Sequence, residues 1–435
     1  MRSGTWQRLV TGAGWRRPVA PLAGAVLATA LVAGGCARAS SEVSFPSARA
    51  GAVEVATVAP GAPRPELAGA DAVLVDQAGE PRSEGPAAPA EPLSVTFHPA
   101  PGTVGVPLDA AVGVEVRGGE LLSLEVASPE GVVEGRVELG AFQATDGLRF
   151  ATEYTLQATV RDATGELSVQ RAAFATMDEA PTAEAWIYPN EGDVVGVGMP
   201  VIVSFSQNIP PEQRSAVTAR LSVHSEPSVP GAWRWMRDDE VHWRPLQYWP
   251  ANTEVWVAAQ LGGTRAADRW FTGSILQHFT IGQHHRFTVD AATHQMVAYV
   301  DGVPVRQMPI STGKDAYPTA SGTNLIMEKH DVFEMDSSSV GIYGAEAYNV
   351  VVDDALRLTN SGTFIHAAPW NGSLGEANLS HGCINASSED AQWMMDFSYI
   401  GDPVEISNTP ERLAPDNGWG VWNLTAEQWL AEATP

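Results

Sequence analysis

Apolar and polar positions alternate with a period of two through much of this 435-residue chain. Between residues 93 and 178 the alternation is cleanest at 93–97, 112–116 and 154–160, with Pro101-Gly102, Gly118-Gly119 and Thr164-Gly165 as turns between the runs. A period of two puts one face of an extended chain on a core and the other in water. The pattern therefore predicts a small antiparallel β-sandwich over 93–178. The same architecture recurs over 183–282 in a different sequence. Its clearest strands are 201–205 and 253–257, with others at 221–223 and 241–243, and turns at Pro189, Gly192, Pro210-Pro211 and Pro250. Neither module gathers titratable side chains, so both read as spacers.

Residues 285–408 change character. Residues 287–289 and 296–300 predict a hairpin, 303–309 another strand, 311–319 a Gly/Pro/Ser-rich loop, and 349–358 and 362–366 further strands. One helix is expected here: Ser387 caps it with Asp390 three residues on, Trp393 and Phe397 lie one turn apart, and Gly401 closes it. Residues 402–406 read as a closing strand. In 409–435, Thr425 and Gln428 suggest a second cap, and Trp419, Trp422 and Trp429 predict a subdomain docked on an apolar surface, since burying one large aromatic contributes roughly 1.5–3 kcal/mol. The fold class is thus mainly β.

The first 92 residues hold no such pattern. Arg2, Arg8, Arg16 and Arg17 precede an apolar run at 22–33, which is shorter than the roughly 18 residues a membrane span needs. The run ends Ala33-Gly34-Gly35-Cys36, which resembles a bacterial lipoprotein signal with acylation of Cys36; an ordinary secretory signal is the plainer alternative. Residues 1–36 are read as this signal. Residues 37–92, rich in Ala, Pro, Gly and Glu, are read as a flexible linker reaching on the order of 40 Å. The expected location is extracytoplasmic, lipid-anchored to the membrane and facing the cell wall. A net charge of −25 argues against a nucleic-acid partner, because phosphate binding needs a basic surface.

Charge and export leave one thiol to explain. The chain has two cysteines; if Cys36 carries the anchor, Cys383 has no partner in an oxidising compartment. It sits in Ser380-His381-Gly382-Cys383-Ile384-Asn385. A cysteine nucleophile needs a base and oxyanion donors. His381 lies two residues before it and His366 seventeen before it, and spacing does not choose between them. Gly382 permits a tight turn that leaves the amides of Gly382 and Cys383 facing a carbonyl, and Asn385 offers a side-chain amide to fix the loop. A buried structural thiol, or a metal site with the two histidines, are the competing readings of the same residues; Glu376, Glu389 and Asp390 show no ligand spacing.

The signature at 380–385, with thirteen residues separating His366 from Ser380, resembles the active site of L,D-transpeptidases of the YkuD fold. Gly313-Lys314, Pro318-Thr319, Met335-Asp336-Ser337-Ser338, Gly341 and the segment 361–370 are similar to further parts of that domain. Two Ig-like modules (93–178, 183–282), a catalytic domain (285–408) and a Trp-rich tail (409–435) resemble the actinobacterial lipoprotein members. The resemblance implies peptidoglycan as partner: Cys383 attacks the bond between the third-residue diamino acid and the terminal D-Ala of a tetrapeptide stem, and a second stem's side-chain amine resolves the thioester into a 3→3 cross-link. It implies His366 as base, oriented by the Ala367 carbonyl, and oxyanion donors at His381, Gly382 and Cys383. Asn385 and Ser380 belong to the substrate loop, with Met335, Tyr348, Ser361 and Trp370 lining the cleft. It implies no metal or other cofactor, and acylation of Cys383 by carbapenem-type β-lactams. Val340 stands where the nearest relatives commonly carry a cleft aromatic. An L,D-carboxypeptidase, with water as acceptor, and an inert wall-binding lipoprotein are the alternatives.

Overall fold

The computed structural model describes residues 91–433. The signal, Cys36 and the linker up to residue 90 lie outside the described residues. Among the described residues no helix is long and apolar enough to cross a membrane.

Two β-sandwiches come first. Four-stranded sheets containing Ser94–His98 and Glu153–Asp162 face each other over a core of Val114, Val126, Leu156, Val160 and Phe174. The strand Gly119–Ser128 was not evident from its pattern. A bulge between Leu121 and Ser123 shifts its phase, so Leu122 turns outward while Leu124 and Val126 stay inside. The second sandwich pairs sheets containing Val201–Phe205 and Glu254–Gln260 around Val203, Trp249, Val257 and Phe279. Here the sequence reading needs correction. Pro210-Pro211 is not a plain turn but the entry to a helix, Pro211–Thr218, with proline at its first position, where the missing N–H costs nothing. Its Val217 reaches the core.

The third body holds a six-stranded sheet and a four-stranded one. The six-stranded sheet is built on His285–Asp290, Gln295–Val300 and Pro403–Ser407. The four-stranded sheet runs Glu328–Asp336, Asn349–Arg357, Phe364–Ala367, Ile384–Ala386. Phe287, Ile365, Ile384, Met394 and Val404 form the core. The helix Ser388–Phe397 starts as expected, with Ser387 Oγ accepting from the Asp390 amide. It ends at Phe397 with Ser398 as its cap, so Gly401 does not close it. Gly401 instead sits in the turn entering Pro403–Ser407, where its carbonyl accepts from Gly198 N–H at 3.0 Å.

That contact is part of a tight junction between the second sandwich and the third body. Gly196 N–H donates to Ile400 O at 2.7 Å, and a Cβ on Gly196 would fall 2.3 Å from the Asp402 nitrogen, so only glycine fits. The C-terminal segment then crosses from the third body to the second sandwich. Glu411–Arg412 pairs with the strand Ala320–Leu325. Trp419 rests on Tyr188, Trp422 donates to Gly198 O at 2.7 Å, and Trp429, fully buried, donates to Ala232 O at 3.0 Å. Arg244 lies between Trp422 and Trp429, its guanidinium carbon 4.4 and 4.6 Å from the ring centres. The helix Ala426–Ala431 opens with the expected Thr425/Gln428 capping box.

Candidate active site

Two short strands set the site. Phe364–Ala367 runs parallel to Ile384–Ala386, with His366 opposite Asn385. Neighbours in a sheet alternate faces, so Ile365, Ala367, Ile384 and Ala386 enter the core while His366 and Asn385 point together to the other side. Cys383 immediately precedes the second strand. Gly382 before it has φ +116°, a backbone conformation other residues adopt only with strain. The result is a cleft of about 450 Å³ lined by Met335, Tyr348, His366, Trp370, His381 and Cys383, among others.

His366 Nδ1 lies 2.8 Å from Ala367 O. A carbonyl only accepts, so Nδ1 carries the proton and Nε2 presents a lone pair. Asn385 Nδ2 donates to that Nε2 at 3.0 Å, and Asn385 Oδ1 accepts from Asn371 Nδ2 at 3.1 Å. Burial pushes the imidazole below its ordinary pKa of 6.5, against a smaller raising effect of the Ala367 carbonyl. His366 is therefore a neutral base at neutral pH.

Cys383 is a free, buried thiol. Its Sγ faces Gly362 O at 3.7 Å. Burial pushes the thiol up to about 11, against the lowering effects of the Phe364 amide and the Arg357 charge. At neutral pH the sulfur is protonated. Both groups are thus neutral at neutral pH.

His381 is held differently. Its Nε2 meets Glu346 Oε2 at 2.7 Å, and its ring lies 4.9 Å from Tyr317 and 5.2 Å from Tyr348. The same carboxylate oxygen accepts from Lys314 Nζ at 2.6 Å. Lys314 first, then His381, hold the Glu346 carboxyl below its usual range. Glu346 belongs to the segment between Asp336 and Tyr348, which holds two 3-10 turns and meets the site at His381.

The remaining sequence candidates fall into two groups. Ser380, Asn385, Met335, Tyr348 and Trp370 line the cleft. Ser361 and Ala367 do not appear in its wall: the Ser361 hydroxyl accepts from Asn417 Nδ2 at 2.9 Å, and Ala367 contributes its carbonyl to His366. The Gly382 amide, expected to face substrate, donates to Ser380 Oγ at 3.1 Å, while Ser380 Oγ donates to Cys383 O at 2.6 Å. Among the described residues no group of three or more His, Cys, Asp or Glu side chains is placed to hold a metal ion. Four contributors escaped the sequence reading: Asn371 behind Asn385, Glu346 behind His381, Gly362 beneath the thiol, and Thr319, whose hydroxyl donates to Gly382 O at 2.8 Å. Each comes from a different segment, and nothing in its local sequence marks the partner.

Comparison with known proteins finds related families over both parts of the chain. A family model described as the L,D-transpeptidase catalytic domain matches residues 284–406, and one described as a bacterial Ig domain matches 103–265, across both sandwiches. L,D-transpeptidase 2 of Mycobacterium tuberculosis is 36% identical over 344 residues, spanning 76% of this chain and 82% of that protein. A probable L,D-transpeptidase 3 of the same organism is 38% identical over 241 residues, 52% of this chain and 86% of that protein. A crystal structure of L,D-transpeptidase 3 from Mycobacterium tuberculosis with a faropenem-derived adduct shows 33% identity and a TM-score of 0.45, covering 52% of this chain and 98% of that one.

Proposed function

This chain belongs to the L,D-transpeptidase family, and on that premise we propose that it forms 3→3 cross-links in peptidoglycan through a thioester on Cys383. The observation that carries the reading is the parallel pairing of His366 with Asn385, which sets a neutral imidazole and the Cys383 thiol in one cleft.

In the first half-reaction Cys383 loses its proton to His366 Nε2 and its sulfur attacks the carbonyl between the third stem residue and D-Ala. An S–C bond forms. The C–N bond breaks, and D-Ala leaves with the proton that His366 returns. In the second, the side-chain amine of another stem's third residue attacks the thioester carbonyl. The C–N bond of the cross-link forms, the C–S bond breaks, and the amine proton passes through His366 back to sulfur. His366 is favoured over His381 as base because Ala367 O fixes the tautomer that leaves its Nε2 as acceptor, bonded to Asn385 Nδ2 in the buried part of the cleft, whereas His381 turns its Nε2 to the exposed Glu346 carboxylate. With the Gly382 amide engaged by Ser380, the amides of His381 and Cys383 are the donors left for the oxyanion. Asn385 releases His366 Nε2 as the base turns to its proton, and Asn371 keeps the Asn385 amide oriented.

The same nucleophile meets a strained amide in a carbapenem, so a stable acyl adduct at Cys383 is expected. Localisation follows from residues 1–36: we place the enzyme outside the cytoplasmic membrane, held by a lipid on Cys36, with the linker carrying the folded part toward the wall. Fatty-acid labelling that survives Cys36→Ser would remove the anchor from this account.

The deciding experiment incubates the protein with disaccharide-tetrapeptide and looks for dimers by mass spectrometry. Dimers from the parent and none from Cys383→Ala are expected. Dimers from Cys383→Ala would sink the nucleophile assignment, and tripeptide as sole product with excess acceptor present would make the enzyme a carboxypeptidase.

A further inference from the structure

We propose that Asn417, in the C-terminal segment, is a positioning residue for the nucleophile: by clamping Ser361 it fixes the turn whose Gly362 carbonyl holds the Cys383 thiol, and it links that turn to the second sandwich.

Asn417 grips one residue with both ends of its amide. Its Oδ1 accepts from Ser361 N–H at 3.0 Å, and its Nδ2 donates to Ser361 Oγ at 2.9 Å. Two bonds to one residue fix orientation as well as distance. The turn it grips is closed on itself. Thr359 Oγ1 lies 3.1 Å from Ser361 Oγ and accepts from Thr363 N–H at 2.9 Å, and Gly362 N–H donates to Thr359 O at 3.3 Å. The turn also abuts the 3-10 turn Ser337–Val340: a Cβ on Gly362, which has φ +91°, would fall 2.7 Å from Val340 Cγ1. The Gly362 carbonyl between these two constraints is the acceptor facing Cys383 Sγ.

Asn417 is anchored in turn. Two residues on, Trp419 rests on Tyr188 at 5.4 Å, and Trp422 donates to Gly198 O at 2.7 Å, both on the second sandwich. The C-terminal chain therefore joins two contacts with that sandwich, at Trp419 and Trp422, to the Asn417–Ser361 clamp and the turn that presents Gly362 O to the sulfur. A carbonyl oxygen accepts from S–H and repels a thiolate, so the placement of Gly362 O sets how readily Cys383 ionises. The ionisable groups facing the sulfur from neighbouring elements are Arg357, Tyr348, His366 and His381, and substituting Asn417 leaves all four in place. The consequence for turnover rests on Cys383 being the nucleophile; the reactivity of the thiol does not, so the two readings fail separately.

The test is the pH profile of Cys383 alkylation by iodoacetamide, followed by intact mass on the whole protein. Asn417→Ala is expected to lower the midpoint by about half a pH unit. Asn417→Asp, whose carboxylate can accept from both Ser361 N–H and Ser361 Oγ–H, is expected to restore a midpoint at or above the parent's. Trp422→Ala is expected to shift it in the same direction as Asn417→Ala, and the double variant no further than the larger single shift, as for two links of one chain. An unchanged midpoint in folded Asn417→Ala, failure of Asn417→Asp to rescue, or additive shifts in the double variant would each overturn the proposal. Should Asn417→Ala not fold, Ser361→Ala, which removes one of the two bonds, carries the same expectation.

Discussion

Burial acts in opposite senses on the two groups proposed to do the chemistry. It raises the Cys383 thiol to about 11 and lowers the His366 imidazole, so each is held in its neutral form. The proposed proton transfer from sulfur to nitrogen would create two charges at a buried site, which a substrate carbonyl polarised toward the amides of His381 and Cys383 would offset. The pH dependence of acylation follows with a definite sign. His366 must be neutral to accept a proton, and its lowered pKa keeps it so below the ordinary imidazole midpoint. The acid limb of carbapenem acylation, read by intact mass against pH, is expected below pH ~6.5; a limb above that value would show that another group is the base. His366→Gln is expected to slow acylation by about 10²–10⁴-fold, the usual contribution of a general base. The thiol also contributes to stability. Its folded pKa lies above its ordinary value of 9.0, so that contribution is complete below pH 9 and is lost as pH rises toward 11. At this scale the sequence showed that Cys383 was the sulfur to explain. It did not show what the sulfur touches, because Gly362 and Asn371 reach the site from separate loops.

Among the elements, the segment from Asp336 to Tyr348 is the one whose position matters most and whose hold is weakest. Asp336 caps its first turn by accepting from the Ser338 amide. Its far end is held by Tyr348, whose N–H donates to Ser337 Oγ at 2.9 Å, and by the Glu346 carboxylate, shared between Lys314 and His381 and itself 46% exposed. Exposed pairs of this kind are screened by salt and hold weakly. Glu346→Gln is expected to leave thermal stability nearly unchanged and to speed amide exchange across residues 337–348; raising the ionic strength should do the same to the parent. Unaltered exchange in this segment would mean that Ser337 and Tyr343 hold it without Glu346. The strands were readable where their alternation was intact. They were lost at Gly119–Ser128, where a bulge shifts the phase, and at Glu328–Asp336, where both faces are partly exposed. The helix Pro211–Thr218 escaped because two successive prolines signal a turn as strongly as they signal a helix start.

Across the whole molecule, the C-terminal segment acts as a strap over the junction of sandwich and catalytic body. Arg244 is its fastening: buried to 1% exposure, between two tryptophans, donating to Leu424 O at 2.9 Å and Pro245 O at 3.1 Å. Burial pulls its pKa down to about 10, which still leaves it charged at neutral pH and able to use both ring faces. Arg244→Ala removes these contacts together and is expected to cost roughly 2–4 kcal/mol in urea unfolding. It should also expose residues 409–433 to protease; a segment as resistant as the parent's would show that Trp429 and the Gly198 contact suffice. The sequence by itself determined the class of the fold, the order of its bodies, the docking of a Trp-rich tail and the segment that carries the thiol. It could do so because side-chain period, turn residues and caps are local properties of the chain. The tertiary fold fixes which surface the tail covers, which histidine turns its acceptor nitrogen to Asn385 in the cleft that also holds the thiol, and which carbonyl faces the sulfur. Those depend on the register of Phe364–Ala367 against Ile384–Ala386 and on contacts between residues as far apart as Arg244 and Trp429. No local pattern encodes a distance of that kind.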